Sequence, residues 1–161
     1  MQRKNKKERT LIIIKPDALQ RNLLGAIIQR FERKGLKIIG MKMVELDDVL
    51  LDQHYAHHKD KPFFKSLKRF MKSSPVVMMV LEGFEVVKAV RLITGATKGS
   101  EADAGTIRGD FAMSSQCNIV HASDSLETAE KEIYRFFNED ELFNYEKIDF
   151  GYVYGEEERE E

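Results

Sequence analysis

Thr10-Leu11-Ile12-Ile13-Ile14-Lys15-Pro16-Asp17 is the stretch on which the fold turns. Its β-branched, uninterrupted apolar run reads as a buried strand that stops at Lys15, immediately before the proline. Asp17 then reads as a helix N-cap, with Gln20 three residues on as its capping-box partner. Leu24, Ile27 and Phe31 follow at helical spacing. Arg30, Arg33 and Lys34 suit a last turn, and Gly35 ends it. Leu36 to Leu46 reads as a second strand. Helical stretches are expected around Val49 to His58 and around Pro62 to Lys72. Val76 to Leu81 is a continuous apolar run, a central strand covered on both faces, and Phe84 to Ile93 reads as the helix after it. Asn118 to His121 is a short strand. Leu126, Ala129, Ile133 and Phe136 make an apolar stripe, a helix begun near Asp124 or Ser125.

The order of elements is close to the split βαβ pattern. The expectation is an α+β, ferredoxin-like βαββαβ fold with an antiparallel four-stranded sheet and extra helices. A long loop from Gly95 to Ser115 lacks periodicity, and an irregular stretch of that length inside a compact domain points to function. The 161 residues suit one domain, expected over residues 10–155, with no repeat of fixed period. Flexible tails are expected at both ends, basic over 1–9 and acidic over 156–161. Net charge is -1, which gives no global pull toward nucleic acid or membrane. No apolar run approaches the roughly 20 residues that span a bilayer. The opening residues are basic without a secretory apolar core. Cys117 is the one cysteine, which excludes an internal disulfide framework. A cytoplasmic protein is the default expectation.

His121 sits where a short strand gives way to a helix, a place where sheets present functional side chains. A neutral imidazole near pH 7 is a nucleophile that needs no separate base; the competing reading is a core histidine bonded to a backbone carbonyl. Phosphoryl transfer needs positioned cations and hydroxyl donors. Lys15, Arg91, Thr97 and Arg108 gather in loops along one edge of the expected sheet, although each charge taken singly suits a solvated surface. The Gly95-Ala-Thr-Lys-Gly99-Ser100 stretch misses the P-loop spacing, and no G-x-G-x-x-G occurs. His54, His57 and His58 have helical spacing that zinc sites use, but without an acidic or cysteine ligand they read as a solvated helical face. Phe63 can stack on a base or fill the core, and Phe64 reads as core.

The sequence resembles the nucleoside diphosphate kinases. The resemblance is carried by Thr10-Leu-Ile-Ile-Ile-Lys15-Pro-Asp17, by His54-Tyr55 with Lys61-Pro-Phe-Phe64, by Gly105-Thr-Ile-Arg-Gly-Asp-Phe111, and by Asn118-Ile-Val-His-Ala-Ser-Asp-Ser125. It extends from about Arg9 to Tyr154. It implies a ping-pong kinase that passes the γ-phosphoryl of a nucleoside triphosphate to a nucleoside diphosphate through a phosphohistidine at His121. By the same resemblance, Lys15 and Asn118 hold the sugar hydroxyls, and Lys15 also reaches the transferring phosphate. Tyr55 serves the γ-phosphate region, while Arg91, Thr97 and Arg108 bind phosphates. Phe63 stacks on the base, Leu67 lines its slot, and Ser123 and Glu132 orient the His121 ring. Magnesium is implied on the nucleotide phosphates, not in a protein cage. The implied partners are nucleotides and further copies of the chain, in a hexamer or tetramer, with no membrane and no specific nucleic acid.

Three departures from the family pattern stand out. Ala104 replaces a proline, Gln116-Cys117 replaces a common Gly-Arg, and Ser115 replaces an apolar residue beside the base. They bear on the stiffness of the long loop and on base contact. Cys117 is expected to be a packed thiol, with redox sensitivity as the other reading. The rival function is a non-catalytic nucleotide sensor on the same fold.

Overall fold

The structure is a computed structural model and describes residues 6–159. Four strands, β1 (Lys7–Ile14), β2 (Lys37–Val44), β3 (Val76–Phe84) and β4 (Val120–Ala122), form one sheet in the order β2-β3-β1-β4. Every pairing is antiparallel. The longer connections carry α1 (Pro16–Gln20), α2 (Leu24–Arg33), α3 (Asp48–His54), α4 (Phe64–Met71), α5 (Val86–Thr94) and α6 (Ile107–Phe111), and α7 (Leu126–Phe136) follows β4. This is the ferredoxin-like α+β arrangement expected from the sequence.

β1 and β3 pair with Ile12 opposite Met79 and Ile13 opposite Met78. The twofold alternation of strands sends Ile12, Ile14 and Met79 to one face, against Ile27 and Phe31 of α2 and Val90 of α5. Leu11, Ile13 and Met78 face the other side, against Leu51 of α3, Leu67 and Met71 of α4, and Phe136 of α7. Helices cover both faces of the sheet at Leu11 to Ile14 and at Val76 to Leu81, so these stretches of the central strands have no wet side to carry polar residues. That is the physical reason for the two unbroken apolar runs. Each fully buried aliphatic side chain here contributes roughly 1.5–3 kcal/mol.

The expected helix from Asp17 to Gly35 is two helices. The break falls at Asn22, whose φ of 57° leaves the helical region. Asp17 is not the N-cap: Lys15 holds that place, with Pro16 in the first turn. The Asp17 carboxylate instead accepts the Ile119 N–H at 3.0 Å. Phe84 closes β3 and does not open α5. The long loop holds a one-turn helix at Gly99–Glu101 and the short α6, whose N-cap Thr106 accepts from the Gly109 N–H at 3.0 Å. Five residues are too few to show a helical period. Ser125 caps α7 as expected.

Of the expected tails, residues 1–5 and 160–161 lie outside the described residues. Lys7 to Arg9 extend β1, because they meet Phe84 to Glu82 of β3 and Arg9 bonds Glu82 at 3.0 Å. Glu156–Arg159 form one exposed helical turn. Among the described residues, no helix is long and apolar enough to cross a membrane.

Candidate active site

β4 is three residues long and its middle residue is His121. The turn that delivers it is unusual. Ile119, a fully buried β-branched residue, has φ 75°, a conformation that persists only where surroundings enforce it. Two bonds from the β1–α1 junction do so. The Lys15 N–H donates to Ile119 O at 2.9 Å, and the Ile119 N–H donates to Asp17.

The His121 ring is partly exposed in a cavity of about 640 Å³. Its Nε2 lies 2.9 Å from Glu132 Oε2, which also accepts the Ser123 hydroxyl at 2.7 Å. An ionised carboxylate only accepts, so Nε2 carries the proton. Nδ1 then keeps its lone pair and has no protein partner among the described residues. Glu132 comes from α7, and Ser123 follows β4 fully buried, so ring and orienting groups sit on rigid elements.

Lys15, buried, donates to Asn118 Oδ1 at 2.6 Å, and the Asn118 amide donates to Thr97 O at 2.9 Å. Arg108 is also buried. Its guanidinium donates to Gly95 O (2.8 Å), Asn118 O (3.3 Å) and Val120 O (2.7 Å), so it stitches the long loop to the turn before His121. Burial, then the neighbouring Arg108 charge, lowers the Lys15 pKa to about 8. Burial and Arg91 lower that of Arg108 to about 10. Three cations thus share a cavity whose lining carboxylates are Asp124 and Glu132, and Glu132 is already engaged. Burial is the larger cause of both shifts, and the neighbouring cation adds to it in each case. The Tyr55 hydroxyl is buried with no partner, and burial pushes its pKa up, so it remains a donor in search of an acceptor.

Ten sequence-predicted residues line this one cavity: Lys15, Tyr55, Phe63, Leu67, Arg91, Thr97, Arg108, Asn118, His121 and Glu132. Ser123 lies behind, reaching His121 through Glu132. Phe63, half-exposed at the start of α4, is free to stack, while Phe64 is core as expected.

His54 departs from its expected place. α3 ends at His54, so the three histidines do not share a solvated helical face. His54 is buried edge-on to His121, ring centroids 4.7 Å apart, with Arg135 at 3.3 Å from its Nδ1. Burial and then the His121 charge push its pKa down to about 2, so it stays neutral. Its spacing of three from the buried Leu51 was the available signal. His54, His121 and Glu132 bring donor atoms within 4.8 Å of one another, but the Arg135 guanidinium already occupies the approach to His54. Cys117 is exposed, not packed.

The model of the family described as nucleoside diphosphate kinase matches residues 8–142. The chain belongs to the nucleoside diphosphate kinase family. A nucleoside diphosphate kinase of Pyrococcus abyssi is 53% identical over 148 residues, 90% of this chain and 93% of the relative. One from Parabacteroides distasonis is 55% identical over 139 residues, 86% of this chain and 91% of the relative. The solved halophilic nucleoside diphosphate kinase of Halobacterium salinarum in complex with CDP superposes with a TM-score of 0.90 at 43% identity. That match covers 92% of this chain and 99% of the other. The fold, the family and its kinase activity therefore agree with the expectation from the sequence.

Proposed function

We propose that this nucleoside diphosphate kinase works in two half-reactions through a phosphohistidine at His121. The observation that carries the proposal is the bond from His121 Nε2 to Glu132, which leaves Nδ1 as the nucleophile in a cavity ringed by Lys15, Arg91 and Arg108. The Nδ1 lone pair attacks the γ-phosphorus, and the bond to the β–γ bridging oxygen breaks. The nucleoside diphosphate departs with that electron pair. The Nε2 proton stays in place, and Glu132, steadied by Ser123, offsets the positive charge that grows on the ring. A second nucleoside diphosphate enters, its terminal phosphate oxygen attacks the phosphohistidine, and Nδ1 leaves with its lone pair.

Lys15, Arg91, Thr97 and Arg108 serve the phosphates, and Tyr55 offers its unpartnered hydroxyl to the transferring group. Lys15 and Asn118 serve the sugar, Phe63 stacks on the base, and Leu67 lines its slot. Stacking accepts any base, which suits broad nucleotide use. Magnesium fits as a passenger on the phosphates, where it neutralises their charge. The cavity offers it no free pair of carboxylates, and Mg²⁺ keeps much of its water in any case. The family resemblance extends the proposal to a cytoplasmic homo-oligomer of four or six copies built on residues 10–155. Met41 and Met43, exposed on the edge strand β2, support a covered edge.

The test is incubation with γ-labelled ATP followed by a chase with unlabelled GDP. The expected result is an acid-labile, base-stable label on the protein that the chase transfers to GTP, and its loss in His121→Ala. Turnover retained in that variant would overturn the assignment.

A further inference from the structure

α6 carries Arg108, and its backbone alone does not fix its place. Its 5 residues fall far short of the roughly 12–15 that make a helix stable by itself. Among the described residues, the backbone-to-backbone hydrogen bonds of 103–112 all close within that stretch. Buried Ile107 and Arg108 tie the inner side of α6. Two arginines of the α1–α2 region grip its outer side. Arg30 of α2 donates to Gly105 O at 2.7 Å, pairs with the Asp110 carboxylate, and sets its guanidinium 5.4 Å from the centre of the Phe111 ring. The same carboxylate accepts the Gly105 N–H at 2.8 Å, so Arg30, Gly105 and Asp110 form one closed set that spans α6. The Arg30 guanidinium first, and then the Gly105 N–H, hold the Asp110 carboxyl below its usual range. Arg21, the residue before the break at Asn22, donates to Phe111 O at 2.6 Å.

We infer that Arg30 is a positioning residue for phosphoryl transfer: with Asp110 it fixes the place of α6, and so aims the free N–H groups of Arg108 at the phosphates. The inference rests on the proposed role of Arg108 as a phosphate ligand. A guanidinium has five N–H donors in a fixed fork. The carbonyls of Gly95, Asn118 and Val120 take one from each nitrogen of Arg108. The two that remain, one on each terminal nitrogen, are left for phosphate oxygens. One rigid fork must therefore serve the carbonyls and the phosphates together, and a shift of α6 sacrifices one set to the other. Arg30 does not line the cavity, so it acts on the substrate only through α6.

The experiment measures kcat/KM for phosphoenzyme formation from ATP in the full-length chain. Arg30→Met keeps an apolar stem over Phe111 and removes the bonds to Gly105 and Asp110. It is expected to lower kcat/KM about tenfold, within the range that a displacement of about 1 Å produces. A double-mutant cycle separates positioning from general loosening. In an Arg108→Lys background, which keeps the charge and loses the fork, Arg30→Met is expected to cost at most about twofold more. In a Tyr55→Phe background, altered in the same cavity but away from α6, it is expected to cost the full tenfold or so. If Arg30→Met does not fold, Asp110→Ala takes its place in the same cycle. An undiminished kcat/KM in the variant, or an equal loss in the Arg108→Lys and Tyr55→Phe backgrounds, would overturn the inference and leave the phosphohistidine reading standing. Arg108→Lys as active as the unaltered chain would instead overturn Arg108 as a phosphate ligand, and this inference with it.

Discussion

Replacing Asp17 by alanine should damage a site whose reactive group lies 104 positions further along the chain. The Asp17 carboxylate accepts the Ile119 N–H at 3.0 Å, and Ile119 is held at φ 75° two residues before His121. A hydrogen bond to a charged acceptor contributes about 1.5–3 kcal/mol, so the alanine variant should lose about 2 kcal/mol. At roughly 2–4 °C per kcal/mol for a chain of this size, the Tm should fall by about 4–8 °C. Asp17→Asn keeps a neutral acceptor of about half the strength, so about 1 kcal/mol and 2–4 °C should go. Strain at Ile119 amounts to about 1–3 kcal/mol, and weakening its restraint lets the turn relax and shifts the imidazole. A displacement of about 1 Å reduces rates by up to a hundredfold, so the phosphorylation rate should fall at least tenfold in the alanine variant. Calorimetry at fixed protein concentration and single-turnover labelling measure the two effects. A helix-capping role predicts something different: asparagine as good as aspartate, and alanine worse by about 1 kcal/mol. Melting of Asp17→Asn together with the unaltered chain, and normal labelling in Asp17→Ala, would refute the tertiary role.

Two further outcomes follow from the charges. Lys15 has a folded-state pKa of about 8, below the ordinary lysine value, so its charge is present at neutral pH and lost as pH rises through that value. The free enzyme's kcat/KM should show an alkaline limb near there, and a profile flat into the ordinary lysine range would count against Lys15 as a phosphate ligand. Arg108 satisfies three backbone carbonyls as well as facing the cavity. Arg108→Ala should therefore lower stability by about 3 kcal/mol or more along with the rate, and an activity loss at unchanged Tm would show that the backbone bonds contribute little.

The strands were legible because a β-branched apolar run has few other fates, and α7 because its stripe is long. Local chemistry misled at Asp17. A short acid after Lys-Pro has the right residue type for a cap, but its oxygen serves a partner 102 residues away, and no local rule reports that. The break at Asn22 and the short α6 were hidden for a related reason: a single positive φ and a five-residue helix leave no period. The cationic residues and His121 were readable as candidates, the cations along one edge of the expected sheet, and the fold brings them into one cavity. The triple bonding of Arg108 was invisible, because backbone carbonyls carry no sequence signature. His54 looked like one of three like neighbours, and only the end of α3 separates its buried ring from the other two.

The two restraints on Ile119 come from Lys15 and Asp17, near the opposite end of the chain. A left-handed backbone is unfavourable for isoleucine on its own, so the segment carrying His121 cannot adopt its working shape from local preference. During synthesis the first strand emerges early and waits for a partner that arrives late. Until that closure His121 is an ordinary, unguided histidine. The segment that carries His121 therefore takes its shape only once two stretches far apart in the chain have met.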